Sequence, residues 1–341
     1  MKTLRLGLVG LPSTAIAAEL QKPIAGLKLA AVADPRDPPM ALIARQDIDA
    51  VVLTAPVTGV VDLIEAAAAS GKHVLIAGPI STNRAEADRV VTTSWKVKVL
   101  AGYLPRFASA NREVRDAIKR GAIGRLTSGF YSTHAPIDAT GDGTGFFDHV
   151  APFADLFRWI SGSEPRSVMA TIGTPIDPTT DTDRYGMATF TMANGATLTL
   201  ESTTNRDANP VADRATIVGT KGEIEFRYRR SPQIEIQGSE APWRRRRYLD
   251  AIVGDLGETA YRNLLTEFRD TIVEDREPSP SASDARAALE MILAAQEATR
   301  TGRRVTFPLK GALESAKRAR LPSPSSQAFA WLGGPEVVHA R

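Results

Sequence analysis

The sequence predicts an α/β chain in two parts. An N-terminal, shortened, doubly wound parallel sheet is followed by a C-terminal α+β domain with a large, mostly antiparallel open sheet. Three observations predict it. Short apolar runs alternate with helical patterns from residue 4 to 102. One run, Ile48-Asp49-Ala50-Val51-Val52-Leu53-Thr54, is almost continuously apolar and stops before Pro56, as a strand covered on both faces would. After Gly124 the rhythm changes to long alternating runs, and Asn194-Gly195 between two of them signals a type I′ hairpin.

In order, residues 4–9 and 28–33 read as strands with a helix over 15–21 between them. The strand at 48–54 follows, then a helix at 61–70, a strand at 73–76, a helix at 84–93 and a strand at 97–102. Only fourteen residues separate Asp34 from Asp49, and three of them are proline. A parallel crossover needs about a dozen residues, with a helix in it. Residues 40–46 supply two turns at most, so this crossover is cut to its minimum. Beyond Gly124, strands are expected at 126–133, 167–174, 185–192, 197–202, 215–218, 223–228 and 304–307. Gly219-Thr220-Lys221-Gly222 makes a turn between two of them. Helices are expected at 111–120, 149–159, 261–274 and 283–301, the last capped by Ser283 or Asp284. The division is 1–120, 121–309 and an irregular tail, 310–341, in which Phe329 to Leu332 are the candidates to dock.

Composition narrows the function. With 43% apolar and 24% charged residues, each part can bury its own core. A net charge of +3 drives the chain toward neither nucleic acid nor membrane, and Arg244 to Arg247 read as a solvated surface run. No window approaches the ~20 apolar residues of a membrane span, and the N-terminal run is a first strand rather than a leader. The absence of cysteine excludes thiolate chemistry and fits a cytoplasmic setting. His73, His134, His149 and His339 lack ligand spacing, so no metal is expected.

Where the first strand ends, a dinucleotide site would need G-x-G-x-x-G/A, a turn whose N–H groups face a pyrophosphate. Gly10-Leu11-Pro12-Ser13-Thr14-Ala15 keeps the first glycine and a small last residue. Pro12 replaces the second glycine and has no N–H to offer. Ser13 and Thr14 retain donors. Asp34 is placed to accept from an adenosine ribose, and Arg36 to stack on adenine or meet a 2′-phosphate; both also suit a polar turn. NAD or NADP binding is thus expected in weakened form.

Two further stretches carry a resemblance. Gly71-Lys72-His73-Val74-Leu75-Ile76-Ala77-Gly78-Pro79 and Asp148-His149-Val150-Ala151-Pro152-Phe153-Ala154-Asp155 resemble motifs of the Gfo/Idh/MocA family of NAD(P)-dependent sugar oxidoreductases. There the stretches read G-K-H-V-x-x-E-K-P and D-x-G-x-H-x-x-D. Thr54-Ala55-Pro56, Gly102-Tyr103-Leu104-Pro105-Arg106-Phe107, Gly121-Ala122-Ile123-Gly124 and Gly219 to Gly222 continue the likeness in the same order, over roughly residues 3–309. The resemblance implies a Rossmann domain followed by a domain whose open sheet builds dimers or tetramers. It implies cofactor contacts at Gly10, Ser13, Thr14, Asp34, Arg36, Ala55, Pro56 and Pro79. For a sugar-like ligand it implies Tyr103, Arg106, His134, Asp148 and Asp155, although Arg106 and Asp155 also suit a structural ion pair and a helix-orienting role.

The departures matter as much. The family's lysine falls on Gly78 and its histidine on Pro152, and neither can carry a proton. Val57 and Val60 stand where the family often has Asn and His. Family members also fit a helix, a strand and another helix between the equivalents of Asp34 and Asp49, so one strand and one helix are expected to be missing here. Three readings stay open. The first is a catalytically impaired member with a residual sugar or polyol pocket. The second is an active oxidoreductase with a displaced base, His149, beside Asp148. The third is a non-catalytic regulatory or scaffold protein.

Overall fold

A computed structural model describes residues 3–10, 15–33, 38–54, 59–78, 80–136, 146–173, 185–205, 212–228, 233–238 and 258–309. The expectations for Arg244 to Arg247, for Phe329 to Leu332 and for the 310–341 tail lie outside the described residues.

The first sheet is parallel and five-stranded, in the order β2-β1-β3-β4-β5. Its strands are β1 (Leu4–Val9), β2 (Leu27–Val32), β3 (Ala50–Thr54), β4 (His73–Ala77) and β5 (Val99–Ala101). All five residues of β3 are buried, as its apolar run requires. Helices α2 (Pro39–Ile43), α3 (Val60–Ala69) and α4 (Arg84–Thr93) follow β2, β3 and β4 in the chain. Between β2 and β3 the five-residue α2 is the only described helix, and no described strand lies beyond β2. The shortening expected from the Asp34–Asp49 spacing is therefore present. As an edge strand, β2 has no fully buried position, and Val32 is 44% exposed.

The other face of this sheet is covered by α1 (Ala15–Leu20) and, from far along the chain, α7 (Glu258–Val273). Ala260, Leu264, Leu265 and Phe268 of α7 pack with Leu6, Leu8, Val52 and Leu100. Arg262 fastens the two helices by reaching Glu19 at 2.7 Å. The 3.6-residue spacing predicts one buried face for α7. It says nothing about which sheet that face meets.

The second sheet has eight strands in the order β12-β11-β10-β6-β9-β8-β7-β13. They are β6 (Leu126–Pro136), β7 (Pro165–Ile172), β8 (Tyr185–Met192), β9 (Thr197–Asn205), β10 (Ala212–Gly219), β11 (Gly222–Tyr228), β12 (Gln233–Gly238) and β13 (Val305–Thr306). Only the central β6–β9 pair runs parallel. Helix α6 (Phe146–Ser161) lies over β6 and β9, and α8 (Ala282–Thr301) over β7. The opposite face exposes Phe130, Met169, Tyr185 and Met187. Helix α5 (Ser109–Lys119) and a 3₁₀ turn, Leu104–Phe107, join the two sheets.

Two local expectations are corrected, and one strand is added. The β8–β9 hairpin exists, but among the described non-glycine residues only Asp275 has a positive φ, so Asn194-Gly195 is not a type I′ turn. Gly195 N–H donates to Met192 O at 3.0 Å with Gly195 at φ +85, the pattern of a type I turn closed by a left-handed glycine. Helix α8 is capped by Ser281 rather than Ser283 or Asp284; Asp284 is the reciprocal partner of a capping box. Strand β12 had no expectation at all, although Gln233-Ile234-Glu235-Ile236 alternates.

Candidate ligand site at the junction of the two sheets

In a doubly wound sheet, ligands sit beyond the carboxyl ends of the strands where the strand order reverses. Here that point lies between β1 and β3, and Gly10 ends β1. Gly10 has φ +122, and a side chain on it would run into the carbonyl and hydroxyl of Thr54 at the end of β3. The close approach of these two strand ends demands glycine, whatever binds there. Gly78 directly follows β4, so the family's lysine position is at this same rim of the sheet. Nearby, Gly102 donates to Ile76 O at 2.6 Å, which leaves no room for a side chain at 102.

Ser13, Thr14, Asp34, Arg36, Ala55, Pro56 and Pro79 lie outside the described residues. The described frame does not fit a dinucleotide gripped in the family's full manner. No strand lies beyond β2 to wall the adenine side among the described residues, and the fingerprint carries a proline where an N–H should face phosphate.

The facing wall comes from α6. Pro152 stands inside this helix, where its ring and missing N–H oppose the bond to the carbonyl four residues earlier. Asp148 and His149 occupy the first turn of α6, and His134 lies near the end of β6; all three are described by backbone alone.

One turn beyond Pro152 lies a buried charge cluster. Arg106 donates to both oxygens of Asp155, at 2.6 and 2.5 Å, and the two side chains are 4% and 0% exposed. Arg106 also reaches Asp284 at 3.2 Å, and Arg158 reaches Asp284 at 3.4 Å and Glu164 at 2.6 Å. The Arg106 guanidinium carbon lies 5.7 Å from the centre of the Trp159 ring, and that of Arg115 lies 4.1 Å from it. Burial pushes the Asp155 carboxyl up to about 6, against the opposing pull of Arg106. Asp284 is lowered: burial works against its charge, but Arg106, the Ser281 N–H and Arg158 outweigh it. Tyr103 is buried beside this cluster, and burial raises its hydroxyl pKa.

Of the expected ligand residues, Tyr103, Arg106 and Asp155 are thus brought together. The geometry makes Arg106 and Asp155 each other's partners, tying the end of β5 to α6 and α8. Arg158, Asp284 and Trp159 belong to this cluster and had been passed over. Arg158 and Trp159 do follow the second motif, but nothing in sequence announces that Asp284, 126 residues beyond Arg158, meets it. Among the described residues, no group of three or more His, Cys, Asp or Glu could hold a metal ion. No described helix is long and apolar enough to cross a membrane.

Comparisons with known proteins agree with this architecture. Residues 111–225 match the model of the GFO/IDH/MocA C-terminal domain. The chain is 29% identical to inositol 2-dehydrogenase of Rhizobium meliloti over 277 residues, covering 78% of this chain and 83% of that protein. It is 25% identical to myo-inositol 2-dehydrogenase of Thermotoga maritima over 279 residues, covering 78% and 82%. Scyllo-inositol dehydrogenase from Lactobacillus casei, solved with NAD(H) and scyllo-inositol, superposes with a TM-score of 0.73 over 89% of this chain and 99% of that one. At 21% identity, that last likeness establishes the fold.

Proposed function

Because this chain belongs to the Gfo/Idh/MocA oxidoreductase family, we propose that it binds a sugar-like or polyol ligand on the family scaffold without completing hydride transfer by the family's lysine–histidine route. The observation that carries this reading is the pair Gly78, at the rim of β4, and Pro152, inside α6. Oxidation of a carbinol needs a base for the hydroxyl proton, and losing such a group costs about 10²–10⁴-fold in rate. A bound nicotinamide would supply only the hydride acceptor. Relatives named as inositol dehydrogenases support a polyol as the ligand class. The shortened first sheet and Pro12 support a weakened site for NAD or NADP. The exposed Phe130, Met169, Tyr185 and Met187 support a homo-oligomer, a dimer or tetramer, built through the open face of the second sheet. A cytoplasmic placement completes the reading.

Calorimetric titration with NADH, NADPH and myo-inositol, alongside turnover assays on a polyol panel, tests it. Saturable polyol binding without turnover is expected, with activity appearing in the Gly78→Lys/Pro152→His double variant. Turnover by the wild type that disappears in His149→Ala would replace this reading with that of an enzyme using a displaced base.

A further inference from the structure

The two edges of the first sheet are finished differently. At one edge, β5 is covered from far along the chain: Leu100 bridges Ser281, and Ala101 N–H donates to Pro280 O at 3.1 Å. At the other edge, no described strand pairs with the outer side of β2, and none of its six residues is fully buried. Val32 in this strand is 44% exposed, and Met40, in the first turn of α2, is 50% exposed.

An open edge presents unpaired N–H and C=O groups to any further strand, and is ordinarily guarded by charges, proline or a bulge. Strand β2 carries one charge, Lys28, and no proline. It does carry a bulge: Leu6 pairs with Leu29 and Gly7 with Ala31, so Ala30 is an extra residue in the ladder. That bulge also re-aims the residues after it. Leu29 and Val32 stand opposite Leu6 and Leu8, which lie on one face of β1, so the two large side chains share that face. The run Leu29-Ala30-Ala31-Val32 thus reads large, small, small, large from either end.

We infer that the free edge of β2 is a self-association surface, to which a second copy of this chain adds its own β2 in the antiparallel sense. With a two-fold axis at the Ala30–Ala31 bond, each Leu29 faces the partner's Val32 and each Ala30 the partner's Ala31. Lys28 faces the partner's Ala33, so like charges do not meet. The exposed Val32 is covered in both copies at once. Such an isologous contact closes on itself, which leaves neither copy with an open β2 edge. The added strand stands beyond β2, where no described strand walls the first sheet. This surface is separate from the open face of the second sheet and does not rest on the polyol reading. A contact built on six residues is small, so the association is of the weak, concentration-dependent kind.

The chain has no cysteine, so single replacements report the pairing directly. Leu29→Cys and Val32→Cys, purified separately and mixed in a glutathione redox buffer, are expected to form the mixed disulfide in excess over either symmetric one. Residues directly opposed in an antiparallel pair lie about 4.5–5.5 Å apart, within disulfide reach. Identical residues in this register lie at least about 10 Å apart, beyond it. Trp95→Cys, at an 80% exposed position outside β2, sets the background of random collision. Equal yields of the three disulfides, or a mixed yield no higher than that background, overturn the proposal and leave the edge to a strand of another protein. Because Leu29 also packs against the core, Val32→Lys provides a test at an exposed position. It is expected to weaken self-association about tenfold in sedimentation equilibrium, with the melting temperature of the dilute protein unchanged. Sedimentation that Val32→Lys leaves unaltered at every concentration overturns the proposal as well.

Discussion

Two adjacent turns of α6 hold opposite kinds of residue. The turn of Asp155 and Arg158 carries a buried carboxylate gripped by Arg106 and a second arginine that engages Asp284 and Glu164. The turn before it carries Pro152, which has neither a titratable group nor an N–H. Charged groups that join the elements of the fold are in place, with bidentate geometry. Three residues away, the position that holds histidine in the family's motif is a proline. The network that packs this helix is therefore built on residues other than the one so replaced.

The largest effect expected from breaking this contrast is at Asp155. Asp155→Ala leaves Arg106 buried beside the more distant Asp284 alone, and should destabilise the chain by about 3–5 kcal/mol. Urea unfolding measures it; a loss below about 1 kcal/mol would deny the cluster its structural role. Pro152→Ala should act in the reverse direction. It restores a helical N–H and removes a ring clash, so stability should rise by up to about 3 kcal/mol, read from the same curves.

The pH dependence of stability sharpens the comparison further. With its pKa near 6, native Asp155 takes up its proton before an unfolded carboxylate, whose pKa is about 3.9, does. The stability linked to this group is fully present below about pH 4 and is lost as pH rises through about 6. Asp284, held low, acts in the opposite sense, and its contribution disappears only as pH falls below the ordinary carboxylate range. Between about pH 4 and 6 the wild type should therefore gain stability on acidification relative to Asp155→Asn. Parallel slopes for the two proteins would remove Asp155 as the titrating group. The smallest expected effect is at the other end of the network. Ser281→Ala removes the cap of α8 and should cost about 1 kcal/mol, with Asp284 losing its reciprocal bond.

Much of the fold was legible from pattern. The apolar run at Ala50–Leu53 is the central strand it promised to be, because a strand with layers on both faces buries every side chain, and the polar Thr54 that closes it turns its hydroxyl to Val9 O. The Asp34–Asp49 spacing announced a minimal crossover through chain length alone, and among the described residues only the five-residue α2 lies there. The hairpin was legible and its turn was not, since Asn-Gly suits both a type I′ turn and a type I turn closed by a left-handed glycine. At the site, Gly10, Gly78 and Pro152 could be read directly, because a missing side chain is visible in sequence. The Arg106–Asp155 pairing could not be read, because its two members lie 49 positions apart in the chain.

The order of residues by itself determined the two sheet classes, the shortened crossover and the absence of a proton carrier at positions 78 and 152. Those properties follow from local periodicity, chain reach and side-chain chemistry. Tertiary structure alone decided that α7 would close the first sheet and that Arg106 would be consumed by Asp155. Each of these joins groups far apart in sequence. Their meeting depends on how buried surface and desolvated charge are satisfied in three dimensions, which no local pattern encodes.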